Sequence, residues 1–488
     1  MLKKKNRMAT NQIEFVCISE LVPQNHLLRA VQDSINFDFI YEEVKDLYSQ
    51  TKGRPSIDPV VLIKLLMLQA LYGIRSMRQT ISDAEMNIAY RWFLGYSFQE
   101  KIPHFTTFGK NYERRFKESD LFEKIFTKIL METLECGFIK ADAVFIDATH
   151  VKANANKSKY IRKMARHRAH KYKRDLFIEI NEDREEHGKK PFEDEDDDDD
   201  QDGDGLEEKQ VTESTTDPES GMFHKGEKER CFAYTASVVC DRNNFVLSVK
   251  AAPGNVHDSQ VFTDVLGDVT ERFEEIEAIV VDSGYKTPGI CREIVQANKL
   301  PIMPYKRPMT KEGYFKKYEY VYDEYYDCYL CPNNQILKYS TTNRDGYREY
   351  KSDSQICAGC SMRMQCTQSK NCTKVVTRHI WEPYMEIAED IRHTREGQEL
   401  YRLRGQTIER VFADAKEKHG MRYTRYRGLR KVQHYLTLLF ACMNLKKLAM
   451  WKKKRGLLPP FQAAFSVFTA NFSKMLHICK TPLPRLAA

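Results

Sequence analysis

Two short apolar runs in this chain each break off on an aspartate. In ADAVFIDATH (residues 141–150), Ala143 to Ile146 are apolar and Asp147 stands at the exit. In EAIVVDSGYKTP (277–288) the run ends on Asp282, and Ser and Gly follow. Their length and their β-branched or aromatic content predict strands covered on both faces, as in the parallel part of an α/β sheet. Between them, CFAYTASVVCDRNNFVLSVKAAPG predicts two strands joined by a turn at Asp241 to Asn244, and NVHDSQVFTDVLGDVTERF a helix starting at Asp258 and Ser259. His257, just before that start, suits an ordinary loop histidine better than a site residue. A helix from Pro288 to Asn298 and a strand in LPIMPYK complete the series. The order strand, hairpin, helix, strand, helix, strand predicts a mixed α/β sheet with the two aspartate-bearing strands as neighbours. Ligands gather beyond the carboxyl ends of such strands. Asp282 followed by Ser-Gly is ordinary turn chemistry when taken alone. Paired with Asp147, it makes two carboxylates that repel unless a cation lies between them, and hard oxygen ligands suit magnesium or manganese.

Helical spacing governs both flanks. RPSIDPVVLIKLLMLQALYGIRSMRQTISDAEMNIAYRWFLGY has Pro59 near a helix start and Gly73 and Gly95 as stops, and PHFTTFGKNYERRF predicts a helix capped by Thr106 and Thr107. Residues 1–130 are thus expected to form a small helical domain. Outward Arg75, Arg78, Lys110, Arg114 and Arg115 could grip DNA or simply keep the helices soluble. After the Asp147 strand, KANANKSKYIRKMARHRAHKYKRD predicts a basic helical arm. Further on, Ile408, Val411, Phe412 and Ala415 make an apolar stripe, with Glu409, Ala413 and Lys416 on an adjacent one. Glu409 therefore sits at the margin of the buried face. RYTRYRGLRK then interleaves Arg422, Arg425, Arg427, Arg430 and Lys431 with Tyr423 and Tyr426, side chains that suit phosphates and stacked bases.

Composition sharpens this picture. The 488 residues are 42% hydrophobic, enough for two to four domains with real cores. The basic N-terminus has no apolar stretch of signal-peptide type, and YLTLLFACMNL (435–445) is too short to span a bilayer, so a cytoplasmic protein without membrane contact is expected. Net charge is +8, yet residues 193–208 hold 12 acidic residues and no basic ones, leaving +8 plus 12, or +20, elsewhere. That balance favours a polyanionic partner. Residues 183–222 are expected to be a disordered acidic insertion. A calcium-loop match in DDDQDG fails because Lys209 occupies the twelfth position. Six of the 13 cysteines fall within 45 residues of the segment 308–380. The pairs Cys328/Cys331 and Cys357/Cys360 suit a structural zinc ribbon, and Cys366 or Cys372 could replace one ligand; reduced thiols without metal are the alternative.

The motifs FIDATHVKANANK, APGNVHDSQVF, VVDSGYKTP and TIERVFADAKEKHGMRYTRYRGL, in that order, resemble the DDE transposases of bacterial insertion sequences. The branch concerned carries a cysteine-rich insertion before the final Glu and a helical domain ahead of the catalytic one. The resemblance covers roughly residues 50–450. It implies an RNase H-like core formed by residues 138–307 and 381–455, with a tail at 456–488. It also implies a catalytic triad of Asp147, Asp282 and Glu409 holding two divalent ions about 4 Å apart. Lys416 matches the family's basic residue below the Glu, and Arg410 sits beside it. The implied activity is cleavage and strand transfer of double-stranded DNA at inverted repeats, by a homodimer associated with the nucleoid. A nuclease that cuts without joining and a silent DNA-binding descendant are the rival readings.

Overall fold

The computed structural model describes residues 16–49, 56–168, 173–193, 206–225, 229–307 and 310–458. The chain forms two units: Met1–Phe138, Asp414–Arg422 and His434–Ala488 make the first, Ile139–Ala413 and Tyr423–Gln433 the second. The segment 381–455, expected to complete one core, is thereby divided between them.

The first unit is helical. Helix α1 (Pro59–Tyr72) begins where the Asp58 carboxylate accepts the Val60 N–H at 2.7 Å, and Pro59 occupies the first helical position, where no N–H is needed. It ends at Gly73, whose φ of 63° is left-handed. The sequence PVVLIKLLMLQALY is apolar on nearly every side, so the helix is buried all round. Its one charge, Lys64, donates to Gln32 Oε1 at 2.8 Å and to the Phe93 carbonyl at 2.9 Å, and burial lowers its pKa to about 8. Helices α2 (Met77–Met86) and α3 (Ile88–Leu94) start on the side-chain caps of Ser76 and Asn87. The helix Phe105–Asn111 begins on His104, not on Thr106 or Thr107, because the His104 ring nitrogen accepts the Thr106 N–H. Helix α4 (Leu121–Glu135) completes the packing with its Leu121, Ile125, Phe126 and Ile129 face.

The second unit is built on a six-stranded mixed sheet: β1 (Ala143–Lys152), β2 (Gly221–Lys225), β3 (Glu229–Cys240), β4 (Val246–Pro253), β5 (Ala278–Val280) and β6 (Leu300–Ile302). The long β3 pairs antiparallel with β1 on one side and, on the other, with β2 along its first half and β4 along its second. Beyond β1 come β5 and then β6, both parallel. The hairpin β3–β4 turns at Asn244, which takes a left-handed φ of 62°. Helices α5 (Asp258–Arg272) and α6 (Pro288–Gln296) connect β4 to β5 and β5 to β6. The fold class is α/β, as the strand and helix periodicities predict.

Two expectations fail here. The basic arm is not helical: Tyr160–Arg168 is a strand paired with Leu206–Ser214, in a register that sets Arg166 opposite Glu208. Its cross-strand partner lies beyond the acidic run, out of reach of any local periodicity. The insertion 183–222 is also largely ordered, with Lys173–Glu186 helical and 206–225 mostly strand. Ser214, Asp217 and Ser220 are buried, and Asp217 accepts from the Tyr234 hydroxyl at 2.9 Å and the Gly428 N–H at 3.0 Å. Only 194–205 of that insertion lie outside the described residues.

After β6 the chain forms a second, antiparallel sheet in simple meander order, from β7 (Val321–Asp323) through β8 (Cys328–Leu330), β9 (Ile336–Thr342) and β10 (Tyr347–Ser352) to β11 (Val375–His379). Tyr320, Tyr329, Leu337, Tyr350 and Val376 form its core. Helices α7 (Glu382–His393) and α8 (Arg395–Leu403) follow, and α7 returns to α6 and β6. A 3-10 turn at Arg404–Gln406 leads into α9 (Ile408–Lys418), and α10 (Leu429–Lys454) ends the described chain apart from a short extension. Residues 435–445 lie inside α10. No single helix among the described residues is long and apolar enough to cross a membrane.

Candidate active site

The parallel register of β1 and β5 pairs Ala143 with Ala278, Val144 with Ile279 and Phe145 with Val280. Asp147 lies two residues beyond Phe145, and Asp282 two beyond Val280. The two residues therefore stand at one level on neighbouring strands about 4.8 Å apart. Only Asp282 is at a strand exit: β1 runs on past Asp147 to Lys152, because Asp147 to Lys152 stay paired with Val238 to Ala233 of β3. Asp282 also performs the local task its sequence suggests, accepting the Gly284 N–H at 2.8 Å and capping the 3-10 turn Ser283–Tyr285. Four residues on, Lys286 is buried and donates to Glu389 Oε2 of α7 at 2.6 Å. That pair fastens the loop after β5 to the helix leading towards the third carboxylate.

Glu409 stands in the first turn of α9. Ile408, Val411, Phe412 and Ala415 are buried as the stripe predicts, while the Glu409 side chain is 57% exposed. Sequence reasoning missed the residue that links these groups. Arg404, 10% exposed, pairs through Nη2 with Asp147 Oδ2 and through Nη1 with Glu409 Oε1 at 3.5 Å. Its buried Nε has no hydrogen-bond partner. Tyr401, three residues earlier on α8, has its phenol pKa raised by burial; Arg404 opposes that rise, and the charges of Asp282 and Glu409 add to it. Between them, Tyr401 and Arg404 thus interact with all three acidic residues, Tyr401 with Asp282 and Glu409 and Arg404 with Asp147 and Glu409. No local pattern marks Arg404, because Asp147, one of the two carboxylates it pairs with, lies far earlier in the chain.

Among the described residues no three His, Cys, Asp or Glu side chains converge closely enough to hold a metal ion as they stand. Arg404 takes the position between Asp147 and Glu409. The surrounding donors are anionic oxygens, which fit a hard divalent cation, and the guanidinium marks where their negative charge requires a positive group.

The basic residues divide between the units. Arg410, Arg425, Arg427 and Arg430 belong to the second and are exposed; half-buried Lys416 and exposed Arg422 belong to the first, where Arg422 pairs with Glu417. The loop 423–427 is laid against the end of β1. Lys152 bridges to Tyr423, its carbonyl accepting the Thr424 N–H at 2.9 Å. Asn154 Nδ2 donates to the Arg425 carbonyl at 2.9 Å, its Oδ1 accepts from the Tyr423 hydroxyl at 3.2 Å, and its carbonyl accepts Arg427 Nε at 3.0 Å. Asn154 therefore orders the Arg-Tyr loop from the strand that carries Asp147. In the first unit Arg75, Arg78, Lys110 and Arg114 are exposed, whereas Arg115 is turned to the Leu47 carbonyl and the Tyr48 ring. His257 is exposed ahead of α5.

The proposed zinc ligands are not all brought together. Cys331, Cys357, Cys360 and Cys366 line one cavity, but Cys328 does not. Cys328 lies within β8, and alternation along a strand points it away from the face shared by Tyr329 and Cys331. The CxxC spacing there follows extended chain instead of a metal-binding turn.

Two family models match the sequence: one described as Transposase domain (DUF772) over residues 16–114, and one described as Transposase DDE domain over residues 330–449. The second range contains Tyr401, Arg404 and Glu409, whereas Asp147 and Asp282 lie outside both. No curated protein matches the chain. Both matched regions are thus similar to transposase domains, the second of them to the DDE domain itself.

Proposed function

We propose that this protein binds the inverted-repeat ends of an insertion sequence and catalyses DNA cleavage and strand transfer, with Asp147, Asp282 and Glu409 holding two magnesium or manganese ions. The observation that carries the proposal is the β1–β5 register, which aligns Asp147 with Asp282, together with the bridge from Arg404 to Asp147 and Glu409. The strand arrangement supports an RNase H-like core: β1, β5 and β6 are parallel, and β3 runs antiparallel on the other side of β1.

Bound at the three carboxylates, such ions would activate a water or a 3′-hydroxyl and offset the charge of the leaving oxygen. The chain's own residues do the rest. Asp282 keeps its geometry by capping the turn after β5, and Lys286 holds that turn to α7. Arg404 orients Asp147 and Glu409 and supplies a guanidinium to the developing charge on the phosphate. Arg425 and Arg427, presented by Asn154, take backbone phosphates, and the half-exposed Tyr423 ring offers a stacking face. The exposed arginines of the helical unit grip duplex DNA, and the protein works in the cytoplasm as a homodimer on its two DNA ends.

The test uses a labelled duplex carrying the DNA that flanks this reading frame. Wild type should give metal-dependent cleaved and joined products. Asp282→Asn keeps an oxygen for the Gly284 N–H, and should lose both products by at least about 10²-fold while its DNA affinity stays nearly unchanged. A variant that cuts at the wild-type rate sinks the assignment. Cleavage without joining favours a nuclease, and binding with neither favours a silenced DNA-binding protein.

A further inference from the structure

The second sheet carries a feature that the carboxylate site does not use. Its cavity is lined by four thiols from two separate stretches of chain: Cys331 directly after β8, and Cys357, Cys360 and Cys366 from the connection between β10 and β11. Cys331 and Cys366 pack against the tyrosine core of the sheet. Cys357 belongs to the short helix Ser354–Ala358, Cys360 follows in the turn after it, with its N–H on the Cys357 carbonyl at 3.3 Å, and Cys366 ends the helix Arg363–Cys366. Neither short helix has a buried residue. Beyond Cys366, this connection adds no residue to the hydrophobic core of the sheet.

We infer that Cys331, Cys357, Cys360 and Cys366 form a four-thiolate site for one structural zinc ion, which staples the β10–β11 connection to the sheet. Each sulfur already has a hydrogen-bonding neighbour suited to a ligand sulfur. The Gln335 N–H donates to Cys331 Sγ at 3.4 Å, and Asn333 Nδ2 to Cys360 Sγ at 3.6 Å. The Tyr320 hydroxyl meets Cys366 Sγ at 3.1 Å. Cys357 Sγ donates to Ser352 Oγ at 3.2 Å, a contact that reverses, with the hydroxyl as donor, once the thiol is ionised. The sulfurs line the cavity without meeting at a point. Rotation of the cysteine side chains must close them to the tetrahedral Zn–S distance of about 2.3 Å. Binding Zn²⁺ releases four thiol protons to solvent and leaves the centre with two negative charges, opposed by Lys374 and Arg363 of the same cavity. Soft thiolates select zinc over the hard ions that suit the carboxylate site. This assignment exchanges Cys328, the strand residue, for Cys366.

The inference stands independently of the DNA chemistry and is tested on the full-length protein. Elemental analysis of protein purified without chelators should find about one zinc per chain, released when a mercurial blocks the thiols. Cys331→Ser and Cys366→Ser should each lose most of it, whereas Cys328→Ser and Cys372→Ser should keep it. Cobalt added to zinc-stripped wild type should give the intense absorption of tetrahedral thiolate coordination, a readout that needs no variant to fold. Folded wild type that holds no zinc and gives no such cobalt spectrum overturns the inference. Loss of metal in Cys328→Ser with retention in Cys366→Ser overturns the ligand set.

Discussion

At the scale of single residues, Arg404 decides the electrostatics of the candidate site. Its two terminal nitrogens engage carboxylates from different elements, Asp147 of β1 and Glu409 of α9. A guanidinium fork can bridge two acids in this way, and an ammonium cannot do so with the same geometry. Removing the bridge has two opposed effects. The carboxylates lose a competing cation, so Arg404→Ala should bind Mn²⁺ more tightly in calorimetric titration, by roughly fivefold for about 1 kcal/mol of lost charge competition. Strand cleavage should nevertheless fall on the order of 10²-fold, because a donor to the phosphate is gone. Arg404→Lys should restore little of it. Unchanged or weaker manganese binding by the alanine variant would count against a competing role. The placement of Asp147 and Asp282 on neighbouring strands was legible in the sequence because an apolar run followed by a carboxylate is a local pattern, although β1 runs on past Asp147. Arg404 was not: RLRGQ looks like an exposed helix end, and the partner that buries the side chain comes from a strand far earlier in the chain.

At the scale of elements, the tie between the β5 exit and α7 rests on Lys286 and Glu389. The Lys286 side chain is 6% exposed. Burial alone would raise the pKa of Glu389, but its bonds and charge interactions with Arg392 and Lys286 lower it to about 2. A folded-state value below the ordinary 4.5 means that the pair's stabilisation is complete above about pH 4.5 and is lost as pH falls through about 2. Lys286→Met should therefore destabilise the protein by about 1 kcal/mol at pH 7, a modest figure because Glu389 is 36% exposed. In urea unfolding the gap between variant and wild type should narrow at pH 3; an equal gap at both pH values would contradict this origin. Elements with local signals were readable: the Pro59 start and Gly73 stop of α1, and the Asn244 turn of the β3–β4 hairpin. What escaped was set by distant pairing. Tyr160–Arg168 becomes a strand only opposite Leu206–Ser214, and Cys328 leaves the CxxC pair only because β8 is extended between β7 and β9.

At the scale of the whole molecule, charge is segregated along the chain. The acidic stretch does not act as one unit: its far edge has structural duties, since Asp217 accepts the Gly428 N–H and Glu219 the Leu429 N–H, at the start of α10 and directly after the Arg-Tyr loop. Residues 194–205 are different. They contain nine acidic residues and no basic one, and lie outside the described residues. Their charge acts on a polyanion through the long-range field, which ionic strength screens over about 10 Å at 0.1 M. Replacing those nine acids by Asn or Gln moves the formal net charge from +8 by nine, to +17. The variant should bind non-specific duplex more tightly at low salt, on the order of tenfold, and its affinity should fall more steeply with salt until the two proteins converge. Discrimination between element ends and random DNA should shrink at low salt, because the gain is independent of sequence. Fluorescence anisotropy across a salt series, with an end-containing and a scrambled duplex, measures both quantities. Superimposable salt curves for wild type and variant would mean that the acidic run is electrostatically silent towards DNA, and that selectivity rests on the arginines of the two units alone.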